Sequence, residues 1–131
     1  MAVVVGYVPT ETGFRAVTEA VREARTFQVP IVIVNVVGVS GFATPTAAED
    51  QDLDSLTARL TSDGVEHSVQ QIESGESVAD LLLGIAEQVQ ARLIVVGLRR
   101  RSPVGKALLG STAQSVILGA NCPVLTVRAV D

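Results

Sequence analysis

Short apolar runs alternate with longer stretches of helical periodicity along the whole chain, and this alternation restricts the fold more than any other feature. Val3-Val4-Val5-Gly6-Tyr7-Val8 is a continuous apolar run, as a strand buried on both faces requires. Pro9-Thr10-Glu11-Thr12-Gly13 breaks it. Thr12 is then placed to cap a helix over about residues 13–26, where Phe14, Val17, Val21 and Ala24 share a face. A second buried strand is expected at residues 31–37, followed by a Gly/Ser/Thr/Pro loop from Gly38 to Thr46. Ala47 to Ser62 reads as a helix with Leu53, Leu56 and Leu60 in line, closed by Asp63-Gly64 with glycine in a left-handed position.

Val65 to Ile72 alternates, with Val65, His67, Val69 and Gln71 on one side, which fits a strand near a sheet edge. Ser77, with Asp80 three residues on, opens a helix to about Gln90 that buries Leu81, Leu82, Ile85 and Val89. Leu93 to Val96 is a fourth buried strand, ending at Gly97. After a basic loop, Gly110 precedes a helix from Ser111 to about Leu118, and residues 123–128 form the last strand. The order βαβαβαβαβ means one α/β domain with a parallel sheet covered on both faces. Ligands of such sheets sit beyond the carboxyl ends of the strands, where the winding reverses.

The chain of 131 residues is 47% hydrophobic and only 3% aromatic, so its core must be built from Val, Leu, Ile and Ala. That apolar content excludes intrinsic disorder, and no apolar run reaches the ~18–20 residues of a membrane span. No export signal is visible and the one cysteine, Cys122, has no internal partner, so a cytoplasmic protein is expected. Residues 1–87 carry 4 Arg against 13 acids, and residues 88–131 carry 5 Arg and 1 Lys against Asp131, giving −9 and +5. A basic third on an acidic protein does not suit nucleic acid, which wants a broad basic face; a small anion needs only a local positive site.

The chemistry concentrates in residues 97–112. Strand, glycine-containing loop and helix together bind phosphate, because free N–H groups and the helix dipole converge at the helix start. Gly97 is where a side chain would obstruct a ligand, unless it and Gly110 serve turn geometry alone. Ser111 either caps its own helix or donates to a phosphate oxygen. Arg99, Arg100, Arg101 and Lys106 are either a solvated basic loop or a ligand edge. His67 stands alone, without metal-ligating neighbours in sequence. Cys122 reads as a packed thiol, and Glu49, Asp50, Asp52 and Asp54 as a solvated helix face. No Walker-type loop is present, since Gly105-Lys106 is followed by Ala107.

The spacing Gly97, two residues, Arg100, nine residues, Gly110-Ser111 resembles the nucleotide-binding signature of the universal stress protein family, Gly-x2-Gly-x9-Gly-(Ser/Thr). The segments 110–116 and 121–127 and the strand order are similar to that family as well. The resemblance implies a Rossmann-like three-layer sandwich with a five-stranded parallel sheet of order 3-2-1-4-5, and a homodimer through the last strand. It also implies an adenine nucleotide, ATP with the option of Mg2+ held through its phosphates, bound at the ends of strands 1, 2 and 4. Carried over by position, Gly6, Tyr7 and Val8 resemble the strand 1 contacts, Val36 the adenine contact, and Val96 and Gly97 the strand 4 contacts. Arg99, Arg100, Gly110, Ser111 and Thr112 fall in the phosphate loop.

Two positions depart from the pattern. Val8 stands where the family commonly has an Asp, so a carboxylate for ribose or a metal-bound water is missing. Arg100 replaces the signature's middle glycine, where it either blocks the close approach of phosphate or grips it by charge. These departures favour a second reading, a dimeric interaction module that binds no nucleotide. A weak ATP hydrolase is a third. Phosphoryl transfer needs carboxylates holding a metal and a group orienting the nucleophile, and the loop offers neither, so catalysis is not expected.

Overall fold

A computed structural model of the chain describes residues 1–37, 50–98 and 109–128. The elements alternate as expected: β1 (Val3–Gly6), α1 (Glu11–Phe27), β2 (Ile31–Val37), α2 (Asp50–Ser62), β3 (His67–Glu73), α3 (Val78–Gln88), β4 (Leu93–Gly97), α4 (Ser111–Gly119) and β5 (Val124–Val127). All neighbouring strands pair in parallel in the order β3-β2-β1-β4-β5.

The valine and isoleucine runs form the inner strands because both of their faces are covered. Val3, Val5, Tyr7, Ile31, Ile33 and Val95 pack with Ala16, Val17, Ala20, Leu56 and Leu60 beneath α1 and α2. Val4, Val32, Val34, Val36, Ile94 and Val96 pack with Leu82, Ile85, Ala113 and Val116 beneath α3 and α4. The two helix pairs thus lie on opposite faces, and the winding reverses between β1 and β4.

Local signals are obeyed at most element ends. Gly64 adopts φ 72°, the left-handed conformation that closes α2. Ser77 caps α3 by accepting from the Asp80 N–H at 3.1 Å. The start of α1 differs from the sequence reading. Its cap is Thr10, whose hydroxyl accepts from the Gly13 N–H at 3.1 Å, and Thr12 lies inside the first turn. The reason is tertiary: a Cβ on Gly13 would run into the Val8 carbonyl, so the first turn of α1 sits directly on the end of β1. The start of the helix read as 47–62 lies outside the described residues before Asp50, as do the loop from Gly38 to Thr46 and residue Glu49.

The two sheet edges have different character. On β3, Ser68, Gln70, Gln71 and Glu73 are exposed, whereas β5 presents half-buried Val124, Leu125 and Thr126 beside exposed Ile117 and Leu118 of α4. No helix among the described residues is long and apolar enough to cross a membrane.

Candidate functional site

At the carboxyl edge of the sheet β1 and β4 lie side by side, in register from Val3↔Leu93 to Val5↔Val95. The chain leaving β1 turns to the face of α1 and the chain leaving β4 returns on the face of α4. The two strand ends therefore diverge and open a crevice, the place where doubly wound sheets take their ligands.

The sequence-derived contacts that fall among the described residues have the following places. Gly6 ends β1 half-buried, and a Cβ there would meet Leu82 Cδ1 at 3.1 Å. The Tyr7 N–H donates to the Val34 carbonyl at 2.8 Å, and the Tyr7 carbonyl accepts from Asn35 Nδ2 at 2.9 Å. Its side chain does not face the crevice. It lies in the core beneath α1, edge-on to Phe14 with ring centroids 5.7 Å apart, and its hydroxyl has no hydrogen-bond partner among the described residues. Burial, helped by the Asp52 carboxylate, pushes the Tyr7 hydroxyl up to about 12. Val8 is half-buried and its carbonyl accepts from the Thr10 N–H at 2.8 Å. Val36 and Val96 are buried on the face of α3 and α4. Arg99, Arg100, Arg101 and Lys106 lie outside the described residues.

Gly97 ends β4, and its lack of a side chain has a reason within the protein itself. A Cβ there would come within 2.5 Å of Thr12 Cγ2, and a β-branched threonine in a helix has little rotamer freedom to retreat. Gly97 and Gly13 together let the first turn of α1 pack closely against the end of β4 and the residue Val8 that follows β1. Sequence reasoning assigned Gly97 to ligand clearance and missed Thr12 as its neighbour.

Gly110 is the N-cap of α4 with φ −65° and ψ 157°, an extended conformation open to any residue, and it supplies no side-chain hydrogen bond. Ser111 is therefore the first helical residue and does not cap its own helix. The start of α4 presents its backbone N–H groups at the same edge of the sheet as the crevice, with no cap bond from the N-cap residue.

His67 and Cys122 sit at the amino ends of β3 and β5, away from this edge. His67 Nδ1 lies 2.8 Å from the Val65 carbonyl. Burial pushes the Cys122 thiol up, partly offset by a hydrogen bond from the Ile94 backbone. Among the described residues no group of three His, Cys, Asp or Glu side chains could hold a metal ion. An open groove of about 630 Å³ runs between α3 and α4 at the opposite, amino edge of the sheet. Asp80 and Glu87 are the charged side chains lining it, so it repels a phosphate.

Fold and crevice together define a doubly wound α/β protein with a helix start at its ligand edge. The chain belongs to the universal stress protein family, whose model matches residues 1–128. It is similar to a universal stress protein of Mycolicibacterium smegmatis, 31% identical over 126 residues and 96% of each chain. The universal stress protein of Archaeoglobus fulgidus in complex with dAMP superposes with a TM-score of 0.72 at 26% identity, over 97% of both chains. A universal stress protein in complex with cAMP superposes with a TM-score of 0.75 at 25% identity, over 99% of this chain and 98% of the other.

Proposed function

We infer that this protein binds an adenine nucleotide, ATP in the first instance, at the carboxyl ends of β1, β2 and β4, and acts through that binding as a sensor or adaptor in a stress response. The observation that carries the reading is the start of α4. An N-cap often supplies a side-chain acceptor, and glycine stands in for Ser, Thr, Asn or Asp there at a cost of only about a few tenths of a kcal/mol. Here the position is glycine in a conformation that does not need glycine, and among the described residues no N-cap side chain takes the first N–H groups of α4, which an external acceptor could then meet. A phosphate is such an acceptor, and the helix dipole favours its charge. Family membership and the dAMP and cAMP complexes of two relatives support an adenine nucleotide as the carrier of that phosphate.

Val8 brings no carboxylate to the end of β1, so a Mg2+ accompanying ATP would be held through the phosphates alone. That absence is why the activity is read as binding and not as hydrolysis. The same residue, with Thr12 filling the space above Gly97, favours the second reading of an interaction module without nucleotide. In either case the protein pairs through β5, whose apolar edge would otherwise stay open.

The substitution Gly110→Asp tests the cradle. An Asp cap satisfies the first turn of α4 and complements its dipole, so unfolding free energy should hold or rise by up to about 1 kcal/mol. Its carboxylate would occupy the place given to phosphate, and ATP affinity should fall by more than about tenfold through like-charge repulsion. Unchanged affinity in a stably folded Gly110→Asp protein would remove α4 from the site.

A further inference from the structure

We propose that Asn35 is a positioning residue for the crevice: its carboxamide, braced by Gln71, holds the Tyr7 carbonyl just beyond the last β1–β2 pair and fixes the peptide that leads from Tyr7 into the β1–α1 turn. Pairing of β1 with β2 ends at Gly6↔Val34, while β2 continues beside β3 to Val37↔Glu73. β1 therefore leaves the sheet just as its neighbour carries on. At that point the Tyr7 carbonyl accepts from the Asn35 side chain at 2.9 Å, and Asn35 Oδ1 accepts from Gln71 Nε2 at 3.0 Å. Asn35 and Gln71 are register partners, so the line Tyr7–Asn35–Gln71 crosses three strands.

Asn35 is fully buried, and it is the sole buried polar residue of the described core. A valine or isoleucine would suit the same position in a strand of that composition. Burying an amide costs free energy unless both of its ends are met, and here both are. What the arrangement provides beyond satisfaction is direction. A carbonyl held from the side sets the plane of the Tyr7–Val8 peptide. That plane sets where the turn to Thr10 goes and where the first turn of α1 lands on Val8. A ligand site needs its contacting backbone held to within about 0.5 Å by such support.

The ligand consequence rests on the nucleotide reading; the positioning itself does not. Both are tested on the full chain with Asn35→Leu, Gln71→Leu and a control, Ile31→Val, on the same face of β2 at its other end. Two quantities are read: hydrogen exchange of the Thr10 and Gly13 amides in the free protein, and ATP affinity. Exchange at those amides reports local opening of the turn separately from global unfolding. Asn35→Leu should speed it well beyond the control at matched stability, and weaken ATP by about tenfold or more, as when the outer support of a ligand site is removed. Gln71 is exposed and its replacement should fold readily, moving both quantities the same way by less. If exchange at Thr10 and Gly13 in both variants merely tracks global stability, the proposal is overturned. If exchange rises but the parent protein takes up no ATP, the positioning stands and the nucleotide reading fails.

Discussion

Tyr7 shows how a single side chain can be placed against the simplest expectation. Its ring belongs in the core, but its hydroxyl is buried with no partner among the described residues, and a buried group left unpaired costs about 1–3 kcal/mol. Tyr7→Phe keeps the edge-on contact with Phe14 and should leave stability equal or higher, as read by urea unfolding; a loss of more than about 1 kcal/mol would mean the hydroxyl is in fact satisfied. The same residue gives an alkaline signature. Its ordinary value of 10.0 rises to about 12 in the fold, so the unfolded chain ionises first and stability falls as pH climbs between those values. Tyr7→Phe should flatten that limb of the stability profile. Gly110 carries the complementary lesson, because its backbone does not demand glycine and its substitution separates binding from folding.

Among the elements, the first turn of α1 decides the shape of the crevice. By helix propensity alone, Gly13→Ala should stabilise α1 by about 1 kcal/mol. The Val8 carbonyl stands where that methyl would go, so the substitution should instead destabilise by about 2–3 kcal/mol and loosen the turn above β1. Thermal denaturation checks the sign, and a rise in Tm would show that α1 does not rest on Val8. This contact also marks where the sequence stopped being informative. Val3 to Val8 and Ile31 to Val37 announce themselves because strands covered on both faces need no polar positions. Gly64 and Ser77 act through bonds to their own neighbours and were equally readable. Thr10 and Thr12 are both adequate caps by local chemistry, and only the approach of Gly13 to β1 selects Thr10. Gly97 was correctly placed at the strand end, but its neighbour, the Thr12 methyl, comes from a segment 85 positions earlier in the chain. Asn35 was passed over within the apolar run 31–37, although a lone polar residue there is the signal of a buried partner.

For the whole molecule, the unequal edges of the sheet bear on the proposed dimer. β3 protects itself with polar side chains, whereas β5 is apolar and continues into exposed Ile117 and Leu118. The bonds from Ile94 to the Pro123 carbonyl and from Leu98 to the Val127 carbonyl turn those residues toward β4. By alternation along the strand, the backbones of Val124 and Thr126 face the open edge. Thr126→Pro removes an outward N–H and spares the ladder to β4, so it should shift a dimer to monomer in light scattering at micromolar concentration without unfolding the chain. A parent protein that is already monomeric there would overturn pairing through β5.

The crevice between β1 and β4, with the start of α4, is proposed to take an adenine nucleotide. Calorimetric titration of nucleotide-free protein with ATP in the presence of Mg2+ tests it most directly, with melting temperature followed in parallel. Saturable binding of one nucleotide per chain is expected, with a stabilisation of about 2.7 kcal/mol once ATP reaches a hundred times its dissociation constant. Absence of both heat and any rise in melting temperature at millimolar ATP would contradict it, and would leave the β5 face as the place to look for function.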